Sequence, residues 1–412
     1  MAIKLSGKAR VVAKTVYAHG NSLKVVLILG ALFAALCLSC ATYKTYEGQA
    51  FEEKTPRDWE NPAVFQINKE APSAHFFPFA SESQARKNNP WKSPWVKSLN
   101  GTWKFNLAKT PSERPVYFFK NDYDVRNWGS LKVPANWETE GYDVPIYTNV
   151  KYPHEKTPPT IQSHYNPVGS YKRSFTVPGD WQGKEIILHF GGVSSAMYVW
   201  VNETRVGYSE DSKTPAEFNI TSHLVKGRNQ LAVEVYRWSD AAYLEDQDFW
   251  RLSGMSRDVY LLARSPQHIR DFHVRSPLIN GYKYGQFQLN VDVANVTDTM
   301  APVSVTATLM DGDYTVATIT REVKATGPST VVELKKTILS AKPWTAETPN
   351  LYELLIELQN EAGQTIEVVR QDVGFRTIEI TDQQLKVNGK AVTLKGVNLH
   401  EHHDVKGHVV DE

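Results

Sequence analysis

The chain has 412 residues, 41% of them hydrophobic and 11% aromatic, enough for two or three domains with buried cores. The formal net charge is +1 and no basic run is long, which argues against a nucleic-acid partner. Both cysteines lie before residue 41, so disulfides cannot hold the remainder together.

The first element reads as a leader. Lys4, Lys8, Arg10, Lys14 and Lys24 precede an apolar run at 25–36, and no acid occurs before residue 40. This positive start hides a mildly acidic remainder. The run is too short to span a bilayer and fits the core of a signal peptide. It ends in Cys37-Leu38-Ser39-Cys40. Ser39 before Cys40 resembles the cleavage site of a bacterial lipoprotein, which would leave Cys40 as a lipidated N-terminus, although Cys37 stands where Leu is usual. A plain secretory signal is the alternative. Residues 1–40 are therefore expected to be a signal peptide and 41–56 a polar tether. The protein would reach the periplasm or the outer membrane of a bacterium, with a lipid anchor as its only membrane contact.

Residues 57–265 carry short alternating segments broken by Gly, Asn and Pro, with no long helical pattern. Residues 198–207 read as two strands around a turn at 202–204. Leu231, Val233 and Val235 alternate with Ala232, Glu234 and Tyr236, the pattern of a half-buried strand. This describes a mainly β domain, a jelly-roll β-sandwich. A second β-unit, 266–376, follows a Pro-containing joint. Phe287, Leu289, Val291 and Val293 share one strand face, and Val303, Val305, Ala307 and Leu309 share another, which fits an immunoglobulin-like sandwich. In 377–412, segments 385–387 and 392–394 flank Asn388-Gly389, a strong hairpin signal. The sequons at Asn202 and Asn219 are read as chance beside a bacterial-type leader.

The stretch 237–257, RWSDAAYLEDQDFWRLSGMSR, is the densest in chemistry. It sets Asp240, Glu245, Asp246 and Asp248 among Trp238, Tyr243, Phe249 and Trp250. Carboxylates accept hydroxyl hydrogen bonds or hold a cation, and flat rings cover the apolar face of a sugar. A solvated acidic loop beside a core Trp is the other reading. If extended, the stretch would place Asp246 and Asp248 on one face. Near the end, His400, Glu401, His402 and His403 are clustered. His400 and His402 would share a strand face, and a metal site is a minor reading, because the spacing is not HExxH on a helix.

The 237–257 stretch resembles a segment of the large bacterial β-galactosidases of glycoside hydrolase family 2. Four other blocks resemble the same family in the same order: DWENPAVFQINKEAP at 58–72, GYDVPIYTNVKYP at 141–153, PWTAETPNLYEL at 343–354 and LKGVNLHEHHDVKGHVVDE at 394–412. The resemblance implies a jelly roll, an immunoglobulin-like sandwich and, from 377, only the entrance of a (β/α)8 barrel, which needs roughly 250 residues. It implies retaining hydrolysis of terminal β-D-galactosides by two glutamates expected beyond Glu412. No catalytic residue is then expected in the chain, which alone should be inactive. By residue match, Asn149 and His400 would contact the galactose. Asp248 would bind both the sugar and a sodium ion, in a site left incomplete. The family's magnesium ligands match nothing in this chain. A turn-stabilising role is the other reading for Asn149. Leu399 and Asp404 stand where the family has Arg and Pro. The competing expectations are a non-catalytic sugar-binding surface lipoprotein, or another family 2 glycosidase such as a β-glucuronidase or β-mannosidase. Linkage, aglycone and oligomeric state are not readable from the sequence.

Overall fold

The structure is a computed structural model that describes residues 57–297 and 300–410. The leader, Cys40 and the tether lie outside the described residues. Contacts divide the chain into two units. The larger, 50–121 and 127–412, carries both sandwiches; within the smaller, 1–49 and 122–126, Arg126 pairs with Asp124 at 2.7 Å.

The first sandwich opposes a seven-stranded and a four-stranded antiparallel sheet. The larger runs in the order Gln66–Ile67, Thr204–Ser209, Ala196–Val201, Arg228–Tyr236, Val168–Thr176, Gly101–Ala108, Gly129–Val133. The smaller runs Ala216–Asn219, Glu185–Phe190, Val259–Arg264, Val96–Ser98. Alternation points Trp103, Phe105, Tyr171, Val199 and Val233 of one sheet at Leu188, Phe190, Phe218 and Leu261 of the other, closing a continuous apolar core. The crossed strand order is that of a jelly roll. The expected turn is a two-residue one. Asn202 and Glu203 both take positive φ (48° and 71°), as a type I′ hairpin requires, and strands resume at Thr204. Glu203 tolerates this conformation while its carboxylate accepts the Asn121 N–H at 2.7 Å.

Strand Arg228–Tyr236 departs from expectation. It is buried on both faces, not one. Its second face is covered by chain from elsewhere. Trp59, in the 3-10 turn Asp58–Glu60, stacks on Tyr236 at 4.0 Å, and Arg114 meets buried Glu234 at 3.4 Å.

The second sandwich follows the Ser265-Pro266 joint. Gln267–Arg275, Tyr284–Asn295, Leu278–Ile279 and Thr330–Ile338 form one sheet. Tyr314–Ala325, Ala301–Asp311, Tyr352–Asn360 and Thr365–Val373 form the other. Both four-residue faces named from the sequence are buried in its core.

Ile378–Thr381, Gln384–Val387 and Lys390–Ala391 then form a small meander. Its second turn is Asn388-Gly389, with φ of 51° and 75°, as expected. The return strand is shorter than expected. It pairs only at Lys390 and Ala391, and the Val392 N–H adds a last backbone bond to Leu385. No strand is assigned from 392 to 402, because Leu394, Val397 and Leu399 are exposed and nothing packs on an extended backbone there. The chain then redocks on the first sandwich. His403 and Gly407 exchange backbone bonds, the His408 N–H donates to Asn136 Oδ1 at 2.8 Å, and Val409 is buried. Gly407 suits this dock: its φ is +67°, and a Cβ would strike Leu252 and Asn136. The longest helix among the described residues, Glu82–Lys87, is far too short to cross a membrane.

Candidate functional site

A two-stranded ladder stands beside the first sandwich and organises the predicted site residues. Ile146–Thr148 pairs antiparallel with Phe249–Arg251, matching Thr148 with Phe249, Tyr147 with Trp250 and Ile146 with Arg251. The ladder stops there: Asn149 follows Thr148, and Asp248, next before Phe249, lies in a tight turn in which the Phe249 N–H donates to the Gln247 carbonyl at 2.8 Å. Asn149 and Asp248 are both exposed. The Tyr147 hydroxyl donates to Asp248 Oδ1 at 2.5 Å. The Tyr147 and Trp250 rings lie 5.5 Å apart at a tilt of 58° and are 53% and 45% exposed, unusual for large aromatics. His400 stacks on Phe249 at 4.3 Å and 16°. The ladder end thus carries a carboxylate with two open rings, while the His400 imidazole lies on Phe249, which strand alternation turns to the other face. Asn149 Oδ1 also accepts the Val150 N–H at 2.8 Å, so the turn-stabilising reading of this residue has its bond too.

Two arginines hold the ladder. Arg251 ion-pairs with Asp246 at 2.5 Å and donates to Thr148 Oγ1 at 2.9 Å, tying one strand to the other. Arg237, fully buried, donates to Asp143 at 2.5 Å and to the Tyr165 hydroxyl at 2.9 Å. It also donates at 3.1 Å to the carbonyls of Val144 and Arg251, one beside each ladder strand. Glu138 stands 3.5 Å from the same guanidinium and accepts the Ser253 N–H at 2.9 Å. Burial pushes the Glu138 carboxyl up to about 7, against the pull of Arg237. Burial likewise lifts the Tyr165 hydroxyl to about 12.

Several expectations change. Asp246 and Asp248 serve different partners: one neutralises Arg251, the other meets Tyr147 at the open end. His400 and His402 share no strand. They meet instead on Phe249, His402 edge-on at 5.9 Å. His403 Nδ1 faces the N–H groups of Val405 and Lys406 at 3.0 and 3.2 Å. Among the described residues no group of three or more His, Cys, Asp or Glu is placed to hold a metal ion. Asp248 offers one hard oxygen donor, which fits a single ligand of a larger cation site and no more.

Sequence reasoning passed over Tyr147, Arg237, Arg251 and His408. Tyr147 lies inside GYDVPIYTNVKYP as one of three tyrosines, with nothing to set it apart. Arg237 headed the acidic stretch and was read only as its boundary. His408 stacks on Phe249 at 4.7 Å, and burial lowers its pKa to about 3, so it stays neutral. Nothing in the local pattern singles it out. A cleft of about 870 Å³ lies elsewhere; none of Asn149, Asp248 and His400 lines it.

Comparison with known proteins gives one family. Residues 96–265 match the sugar binding domain of glycosyl hydrolases family 2, 267–376 match its Glycosyl hydrolases family 2 domain, and 378–412 match its TIM barrel domain. The chain is 44% identical over 359 residues to a β-galactosidase of Priestia megaterium, covering 85% of the chain and 35% of that protein. It is 42% identical over 368 residues to one of Vibrio vulnificus, covering 86% and 34%. The chain thus spans about a third of the length of these curated relatives. Among solved structures, a Bacteroides uniformis β-glucuronidase superposes with a TM-score of 0.64 at 24% identity, over 77% of the chain and 36% of that protein. A Bifidobacterium dentium β-glucuronidase complexed with coumarin-3-O-glucuronide gives 0.60 at 22%, over 77% and 54%. These two likenesses bear on the fold alone. With three consecutive domains of one family matched from residue 96 to 412, in the order of its two sandwiches and the segment after them, the chain belongs to glycoside hydrolase family 2.

Proposed function

We propose that this chain supplies sugar-holding groups of a retaining β-galactosidase. The observation that supports the reading is the ladder end, where Asp248 takes the Tyr147 hydroxyl at 2.5 Å beside the exposed Tyr147 and Trp250 rings, with His400 stacked on the neighbouring Phe249. Amide, carboxylate and imidazole are donors and acceptors for hexose hydroxyls, and Tyr147 and Trp250 offer faces for the ring. Retaining hydrolysis needs two carboxyl groups about 5 Å apart. Asp246 is committed to Arg251 and Asp248 to sugar binding, so the acid/base and nucleophile are assigned to the barrel domain, of which 378–412 is the matched stretch.

A β-glucuronidase is the second reading, because solved relatives of that activity share the fold. Asp248 disfavours it: an exposed carboxylate at the ladder end would repel a uronate. The curated relatives named β-galactosidase point the same way. Metal ions occur in the family, one solved relative being described as a calcium binding mutant. Sodium at Asp248, completed by ligands from outside the described residues, and magnesium elsewhere are the ions proposed for the whole enzyme. Lipidation at Cys40 and export to the periplasm or outer membrane complete the proposal; a Cys40→Ser variant should lose incorporation of labelled fatty acid.

The deciding experiment is binding and turnover by the purified 412-residue chain. Galactose should bind saturably and more tightly than glucuronate, and a chromogenic galactoside should not be hydrolysed. Tighter glucuronate binding would sink the galactoside assignment, and turnover would sink the assignment of the catalytic pair.

A further inference from the structure

Two cations stand side by side near the ladder. Lys213 and Arg257 are both exposed, and among the described residues neither forms an ion pair with a carboxylate. The fold fixes their placement. Ser212 is buried, and its N–H and hydroxyl both donate to Glu245 at 2.7 Å. Asp211 takes a φ of 80° and accepts the Thr214 hydroxyl at 2.5 Å, closing the turn that presents Lys213. Arg257 Nη1 donates to the Lys213 carbonyl at 2.8 Å. The Arg257 stem lies along Gly191 and Gly192, where added Cβ atoms would stand 2.9 and 3.3 Å from it.

The pair adjoins the imidazole side of the ladder. Arg257 lies on the stretch that leaves strand Phe249–Arg251, and in that stretch the Ser253 carbonyl shares Asn136 with the His408 N–H. His408 and Glu401 are within electrostatic reach of Lys213, and both His408 and His400 stack on Phe249. Partial burial of its ammonium, then the neighbouring Arg257, lower the Lys213 pKa; Glu245 and Glu401 raise it without reaching an ion pair. Like charges held together are unfavourable until an anion joins them. Galactose brings none, and Asp248 opposes an acid on the galactose itself. An anion that suits this position therefore sits on the unit next to the galactose.

We propose that Lys213 and Arg257 receive a carboxylate or sulfate carried by the unit linked to the galactose, so that the favoured ligands are acidic β-galactosides. The proposal rests on the galactoside reading of the ladder. Lactobionate and lactitol share a β-linked galactose on an open six-carbon chain and differ in one carboxylate, so they form the test pair. In calorimetric titration of the 412-residue chain at low salt, lactobionate should bind about threefold to tenfold more tightly than lactitol. The preference should shrink as salt is raised. Lys213→Gln alters an exposed side chain, so the variant should fold, keep its lactitol affinity and lose most of the preference. Adding Arg257→Gln should remove the rest. Equal binding of the two ligands, or a preference that survives both substitutions, overturns the proposal and leaves the galactoside reading standing. Free gluconate binding as tightly as lactobionate overturns it too, because the anion would then be held without the galactose. Failure of both lactitol and lactobionate to bind overturns the galactoside reading, and this proposal with it.

Discussion

Between 267 and 375 the second sandwich buries alternating Val, Leu, Ile and Phe, and among the described residues its buried polar side chains are His268, Asn295 and Glu367. The first sandwich buries aromatic rings together with Glu138, Lys172, His189, Glu210, Arg237, Asp240 and Arg251. Buried charges seldom add net stability compared with apolar replacements, so their concentration in one domain needs another reason. Geometry supplies it. Arg237 binds a carbonyl beside each strand of a ladder that has only three residue pairs, too few to hold itself. One domain is a spacer with an oil-like interior; the other uses ionic groups to fix loops that carry chemistry.

The sharpest way to break this contrast is to remove Arg237. Arg237→Ala strands Asp143 and Glu138 in the interior and should cost about 3–5 kcal/mol in urea unfolding. Under conditions where the variant is folded, galactose binding should be lost with it. Leu289→Ala is the counterpart in the second sandwich. It empties a fully buried site and should cost about 2–5 kcal/mol, yet leave galactose binding by the folded protein intact. If the two variants lose binding equally, the ladder is not specially supported by Arg237.

The same contrast decides what could be read from the chain. The second sandwich was legible because its core is plain alternation: Phe287 to Val293 and Val303 to Leu309 land where period two puts them. In the first sandwich that rule failed at Glu234 and Tyr236. Their covers, Arg114 and Trp59, come from segments more than a hundred residues away, which no local period reports. Asn149, Asp248 and His400 rest on resemblance; the ladder itself pairs only their chain neighbours Thr148 and Phe249. Tyr147, Arg251 and Arg237 escaped because a buried or half-open polar side chain has no signature until its partners are placed. The strand expected at 392–394 failed for the converse reason: an apolar pattern without anything to pack on does not make a strand.

Two buried glutamates, one on each side of the comparison, sharpen it by pH. Burial pushes Glu138 and Glu367 each to about 7. A carboxyl whose folded pKa lies above its unfolded value holds its proton longer when folded. Stability is therefore greatest below the unfolded pKa and falls as pH rises through about 4.5 toward 7. Glu367 accepts the Ile269 N–H at 2.5 Å, a bond that Gln can keep through its carbonyl oxygen. Glu367→Gln should gain stability relative to the parent as pH rises over that window, by on the order of 2 kcal/mol, then plateau. Glu138→Gln should gain by the same increment over that window, because its folded value is also about 7 with the pull of Arg237 already included, while its whole curve lies lower by a constant for the weakened Arg237 contact. A much smaller pH-dependent gain than that of Glu367→Gln would mean that the folded Glu138 carboxyl is not raised as far.

The smallest effect concerns the ladder's open end. Tyr147 is exposed, so Tyr147→Phe should leave the melting temperature unchanged. Its hydroxyl nevertheless fixes one oxygen of Asp248, and through it the direction in which the other is presented. Losing that bond frees the carboxylate to rotate and should weaken galactose binding about threefold to tenfold. The bond has its own reporter. The Asp248 hydrogen bond raises the Tyr147 phenol above its ordinary value, with lesser help from burial and from the Asp248 charge. In a difference titration of phenolate absorbance, Asp248→Asn should bring that ionisation down toward the ordinary tyrosine range. A Tyr147 titration indifferent to Asp248, with binding indifferent to Tyr147→Phe, would mean that the ladder's outward aromatic pair takes no part in orienting the carboxylate. The contrast between the domains would then rest on Arg237 alone.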